Sequence, residues 1–226
     1  MTPATTKTFF EGQGLHFFCL SLLLALLFVA SHMPGFGDGT FLGLSTCTWV
    51  ELAVANAVIH QVYVWLCWRL ELDGQNLTRF LGRNAFRFYQ VGFAVLILLR
   101  PVLAFAVGWS NRGTLPLSPW VGGGIALLLC FPAAYLFYSV RTYFGIERAF
   151  GIDHFDASYR DKPLVRKGIF TWTPNAMYVF GFFILWVPAF LFQSVAAFWL
   201  AAFSHLYIWV HYYCTEKPDM RRIYGS

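Results

Sequence analysis

Charge is scarce in this chain. Only 12% of its 226 residues are Asp, Glu, Lys or Arg, about half of the ~25% that soluble domains carry. So few charges exclude a soluble globular domain. Cysteine is sparse too. The five, Cys19, Cys47, Cys67, Cys130 and Cys214, include no CxxC pair, and four lie inside apolar runs. That pattern excludes a disulfide frame and a metal site and leaves the thiols as small packing residues. No glycine loop for a nucleotide phosphate is present; Gly122–Gly124 read as packing glycines in an apolar run. The net charge of +5 is carried by short connections between apolar runs. Membrane topology accounts for that placement, and no nucleic-acid partner is expected.

What is abundant is apolar and aromatic. Hydrophobic residues make up 58% of the chain, with 25 Phe, 11 Tyr and 9 Trp. This composition belongs to an integral membrane protein. Six apolar segments stand out: Leu15–His32, Phe41–Trp68, Phe86–Trp109, Pro119–Val140, Met177–Phe192 and Ser194–Tyr213. The first has a thin positive flank in Lys7 and no A-x-A cleavage site, so it reads as a retained span and not a signal peptide. Only Gln193 separates the last two, which predicts a tight helical hairpin. The expected fold is all-α: a polytopic membrane helix bundle of about six transmembrane segments. Residues 1–140 form a four-span region, and 141–226 hold a loop, the hairpin and a charged tail.

Arg69, Arg79, Arg83 and Arg87 fall in the second connection, Arg141 to Lys167 in the long fourth one, and Lys217, Arg221 and Arg222 in the tail, while the alternate connections hold only Arg112. The positive-inside rule then places both termini and the long connection in the cytoplasm, in a bacterial inner membrane or the endoplasmic reticulum. Within the spans, Glu51 and Arg100 are expected to pair, because a lone intramembrane charge is costly. His60 and Asn56 read as packed polar residues, and Pro101 as a kink.

Polar chemistry concentrates after residue 140. Val140–Gly181 interleaves Glu147, Asp153, His154 and Asp161 with basic and aromatic residues, and its first part predicts a helix lying at the interface. In "TWTPNAMYVFG", Thr173 and Asn175 are capping types before an apolar helix, whose N-terminus suits a carboxylate. Tyr178 and Gly181 share a helical face. A hairpin returns Tyr212, Tyr213 and Glu216 towards that start. Helix-end carbonyls and a carboxylate suit an ammonium, and aromatic faces suit a sulfonium. S-adenosylmethionine carries all three groups.

"LVRKGIFTWTPNAMYVFG" and "TEKPDMRRIYG" together resemble the two motifs of the membrane-embedded methyltransferases that include phosphatidylethanolamine N-methyltransferase and isoprenylcysteine carboxyl methyltransferase. "YFGIERAFG" resembles the helix end before the loop in the first of these. The resemblance covers about the last 90 residues. It implies S-adenosylmethionine binding at the cytoplasmic side, where Gly168, Tyr178, Gly181 and Glu216 fit the motifs; Tyr143, Thr173, Asn175 and Tyr213 complete the candidate cofactor site. Met220, Tyr224 and Gly225 fit the tail spacing. The family's Arg-His-Pro is replaced here by Thr173-Pro174-Asn175-Ala176, and its second acid by Lys217.

Methyl transfer to an amine needs a proton acceptor, and Asp153-His154 is the local candidate. Arg148 and Arg166 are candidates for a lipid phosphate. The expected function is methylation of a membrane lipid, phosphatidylethanolamine first. A prenylcysteine carboxylate or small thiol is the alternative acceptor; a membrane reductase or a non-catalytic homologue is the alternative class. Nothing in the sequence sets the oligomeric state.

Overall fold

Backbone groups in lipid must bond within their own segment, so the apolar runs become helices. In the computed structural model, which describes residues 8–160 and 162–225 and so leaves Lys7 and Asp161 outside, helix α1 covers Gln13–Ala30 and α2 Thr46–Leu72. A short α3, Asn76–Leu81, leads into α4, Ala85–Ser110, and α5 covers Pro119–Ser139. A single-turn α6, Ile146–Ala149, precedes α7, Phe183–Leu191, α8, Val195–His211, and α9, Lys217–Tyr224. Among the described residues, five stretches are long and apolar enough to cross a membrane: 13–30, 46–72, 76–110, 119–144 and 195–224. The remaining expected segment is the shorter Met177–Leu191. At 1.5 Å per residue it reaches about 22 Å, against a bilayer core of ~30 Å.

Helix α8 is the central post. Leu200, Ala201, Phe203 and Tyr207 pack with Ala53 and Ala57 of α2, Ala104 of α4 and Ala189 of α7. Small side chains at these contacts let the helices approach closely. The outward faces stay apolar, with Phe18, Phe28, Leu98, Val102, Leu128 and Phe131 exposed, as lipid contact requires. The α7–α8 hairpin forms as expected. Gln193 takes φ +47, Ser194 N donates to Ala189 O at 2.8 Å, and Ser194 Oγ caps α8 by accepting from Ala197 N at 3.0 Å.

One pole of the bundle is tied by Asn111. Its Nδ2 donates to Gly35 O at 2.7 Å and Asp38 O at 2.9 Å. Its Oδ1 accepts from Ser194 Oγ and Ala196 N, both at 2.9 Å. The opposite pole gathers both ends of the described chain, with Gln13 Nε2 donating to Thr215 Oγ1 at 3.2 Å.

Three local expectations change. The second span starts at Thr46, not Phe41, because Thr40–Phe41 and Leu44–Ser45 pair as a small β-hairpin, β1 and β2. Its loop residues Leu42 and Gly43 both have positive φ, as a two-residue hairpin loop demands. Glu51 and Arg100 do not pair. Glu51 is exposed on the outer face of α2, whereas Arg100 is buried, donates to Ala57 O at 3.3 Å and stands over the Phe182 ring. Helix α4 continues through Pro101. The interfacial helix after residue 140 is replaced by short turns, because Gly145 at φ +93 and Gly151 at φ +79 interrupt any longer helix.

Candidate functional site

Three wide, π-type turns lie at the pole that holds both chain ends: Val140–Phe144, Met177–Gly181 and Tyr212–Glu216. Such turns leave carbonyls less tightly bonded and recur at functional sites. The second follows Pro174, whose ring disfavours a helical conformation at Thr173 before it. Thr173 Oγ1 accepts from Asn175 N at 3.2 Å, and Asn175 O accepts from both Tyr178 N at 3.0 Å and Val179 N at 3.2 Å. Thr173 thus closes a turn ahead of the helix, while Asn175 takes part through its backbone and no side chain caps the start at Met177. The hairpin brings Tyr178 to within 5.4 Å of Tyr212 and 5.9 Å of Trp209, ring to ring.

The glycines have separate uses. A Cβ on Gly181 would lie 3.0 Å from Leu136 Cδ2, so this glycine makes room for α5. Gly168 takes φ +59, and a Cβ there would lie 2.6 Å from Ser139 Oγ and 2.8 Å from the Tyr143 ring. The loop is pinned at that point by Ile169 N donating to Ser139 Oγ at 3.1 Å. Gly168 and Tyr143 are thus neighbours. Tyr143 remains exposed, as does Tyr213, over whose ring the Lys217 ammonium stands.

Most of the charged tail is consumed in holding the tail down. Arg69 Nε meets Asp219 Oδ1 at 2.7 Å with both side chains fully buried. His154 Nε2 faces the other Asp219 oxygen at 3.7 Å, and His154 Nδ1 donates to Asp153 Oδ1 at 3.2 Å and Gly151 O at 3.1 Å. Tyr224 Oη donates to Asp153 Oδ2 at 2.8 Å. Arg222 reaches Glu11 and the Thr8 carbonyl. This network ties α9 to the end of α2, to the start of the chain and to the 151–154 turn.

His154 lies face to face with Trp68 at 3.9 Å. Burial disfavours its charge, but the Asp153 and Asp219 carboxylates outweigh that and lift its pKa to about 9. Burial likewise opposes the Asp153 charge, yet the bond and charge of His154 hold that carboxyl below its usual value. A histidine already protonated at neutral pH holds a proton and does not take one, so the expected base role of Asp153-His154 does not follow from this geometry. Both act as a clamp. Arg148 donates to Pro163 O at 3.0 Å and Lys162 O at 3.2 Å, fastening the loop, while Arg166 is exposed.

Glu216 stands apart from the network. Its Oε2 is buried and has no hydrogen-bond partner among the described residues. It sits on the same wide turn as Tyr212. A carboxylate oxygen without a partner, beside aromatic rings, is an acceptor for a cation. His60, Trp68, Tyr89 and His211 are buried at this pole or just below it; the sequence marks His60 as a packed polar residue and does not single out the other three. A signal did exist: His60 and Trp68 stand two turns apart on one face of an apolar helix. Polar groups within a span mark function by default. Among the described residues, no group of His, Cys, Asp and Glu side chains is arranged to hold a metal ion.

No curated protein and no solved structure matches the chain. The sequence model of the phospholipid methyltransferase family matches residues 123–226, a stretch that starts within α5 and contains all three wide turns, the hairpin and the tail. Over these residues, somewhat less than half of the chain, the protein is similar to the phospholipid methyltransferase family.

Proposed function

We propose that the protein is an S-adenosylmethionine-dependent methyltransferase acting on phosphatidylethanolamine and its partly methylated forms, with its site on the cytoplasmic side. The observation that carries this reading is the unpartnered, buried Oε2 of Glu216 on the turn that the hairpin brings against Tyr178. When bound, S-adenosylmethionine supplies a methyl group activated by a sulfonium. Glu216 accepts the ammonium of that molecule, and the faces of Tyr178 and Tyr212 favour its positive sulfur. The start of the Met177–Leu191 stretch, which no side chain caps, favours its carboxylate. Gly168 and Tyr143 shape the neighbouring wall.

The chain's work in such a reaction is chiefly to align the acceptor and exclude water. The basic rim of the site pole supports a lipid acceptor. Arg166, exposed on the loop, is the better phosphate contact, because Arg148 is committed to backbone carbonyls. The same concentration of basic residues at this pole supports the cytoplasmic assignment.

The test is transfer of a labelled methyl group by purified protein in vesicles. Monomethylated phosphatidylethanolamine is the expected first product. Transfer only to a prenylcysteine or a small thiol would reassign the acceptor, and no transfer to any of the three would contradict the reading.

A further inference from the structure

The seam between the Met177–Leu191 stretch and α8 is lined by aromatic rings, and one imidazole stands among them. His205, in α8, packs against Phe182 at 5.8 Å and Phe183 at 6.0 Å, ring to ring. Trp186 Nε1 donates to His205 Nδ1 at 3.1 Å. An indole N–H can only donate, so Nδ1 is the bare nitrogen and the ring's proton sits on Nε2. A proton on Nδ1 as well would oppose the indole N–H and break that bond. Trp186 thereby fixes both the tautomer and the way the ring points.

The Nε2–H finds no hydrogen-bond acceptor among the described residues. Unlike both ring nitrogens of His60, Nε2 is not sealed inside the bundle. The side chain is half-buried beside the exposed Leu206, so its free N–H opens on the lipid-facing side of the seam. A hydrocarbon tail offers such a donor nothing, and a bare donor in lipid is costly. What can satisfy it there is a carbonyl carried by an amphiphile.

The seam runs on to the candidate site. Trp209 follows His205 by one turn and Tyr212 by two, while Phe182 and Tyr178 stand one turn apart on the facing stretch. The rings are continuous, with Tyr178 lying 5.9 Å from Trp209 and 5.4 Å from Tyr212. Seven residues along a helix place His205 about 10 Å from the level of Tyr212. In a diacyl phosphatidylethanolamine about ten bonds separate the amine nitrogen from the nearer ester carbonyl oxygen, roughly 12 Å along an extended chain. The two spans agree. The Met177–Leu191 stretch is also short for a bilayer core, and lipid beside a short span thins, which carries ester groups deeper towards His205.

We propose that this seam seats the methyl acceptor, with His205 Nε2–H donating to an ester carbonyl of a diacyl lipid whose amine lies at Tyr178 and Tyr212. The identity of that lipid rests on the methyl-transfer reading, which the contact narrows. Diacyl glycerolipids carry a carbonyl at this distance from the amine. A prenylcysteine carries only hydrocarbon there and gives His205 nothing to bond. The hydrogen bond takes no part in the transfer itself. It sets how deep the lipid rides, and so where the nitrogen stops.

The experiment is lipid retention by the full-length protein in detergent, read by native mass spectrometry with no methyl donor added. Dioleoyl phosphatidylethanolamine competes with its diether analogue, which keeps the headgroup and chains but replaces each ester by an ether. The wild type is expected to retain the diester about 3- to 10-fold over the diether, within the range of one neutral hydrogen bond. His205→Phe is expected to retain the two equally. His205→Gln, whose amide can accept from Trp186 and still donate to the carbonyl, should keep the preference. Equal retention by the wild type would overturn the proposal without need of any variant, and so would a preference that persists in folded His205→Phe. An ester preference in a protein that transfers no methyl group would contradict the transfer reading and leave the lipid seam standing. Methyl transfer without an ester preference would strike the His205 contact alone.

Discussion

Arg69, at the end of α2, and Asp219, in the C-terminal α9, form a fully buried ion pair of 2.7 Å. The tail is thereby fastened to a helix outside the region that the family model matches. A buried pair of this kind adds little net stability compared with apolar residues, but removing one partner strands the other charge. Asp219→Asn is expected to destabilise the protein by about 3–5 kcal/mol, and the double replacement Arg69→Met, Asp219→Leu by clearly less. Thermal unfolding in detergent measures both. Additive losses would show that the two residues do not act as a unit.

The clamp beneath that pair titrates. The folded pKa of His154 is raised to about 9, from an ordinary value near 6.5. Its contribution to stability is therefore complete below about 6.5 and disappears as the pH rises through about 9. The melting temperature of the wild type should fall between pH 6.5 and 9.5 more steeply than that of His154→Gln. Parallel curves would contradict the assignment of a charged His154.

Gly168 tests the loop. Its φ of +59 and the 2.6 Å approach of a hypothetical Cβ to Ser139 Oγ leave no room for alanine. Gly168→Ala is expected to cost about 1–3 kcal/mol through backbone strain and the displaced loop, and to weaken donor binding. Gly123→Ala is the control, because a Cβ there meets nothing within 4 Å. Melting curves of the two variants separate a local clash from a general intolerance of α5 and its loop.

Tyr178 tests the aromatic face. Tyr178→Phe keeps the ring and should change donor affinity little. Tyr178→Leu removes it and should weaken binding by about 2- to 30-fold, the range of a cation–π contact of roughly 0.5–2 kcal/mol. Equal affinities for the two variants would remove Tyr178 from the site.

Much of this architecture was legible in the sequence, and the exceptions are informative. Long apolar runs and the single Gln193 between the last two announced the spans and the hairpin, because lipid leaves few alternatives to helix. The pairing of Glu51 with Arg100 failed because the run alone does not say which way a helix is turned. Glu51, Ala55 and Ile59, four apart, all face outward, while Ala53, Ala57 and His60 face the core. Composition drew attention to the charged tail, and the hairpin carried Glu216 to the expected end. The roles of Asp219 and Arg69 were invisible, since their contact is long-range and no local pattern encodes it. Trp68 and Tyr89 were missed for a related reason. Each is an ordinary member of an apolar span until the fold brings them together.

The central claim is that Glu216 receives the cofactor. Titration calorimetry of S-adenosylmethionine with wild type and Glu216→Gln, both checked for intact folding by melting curve, tests it most directly. The account predicts saturable binding by the wild type and at least tenfold weaker binding by the variant. Equal affinity in the two proteins, or no binding to a folded wild type, would contradict it.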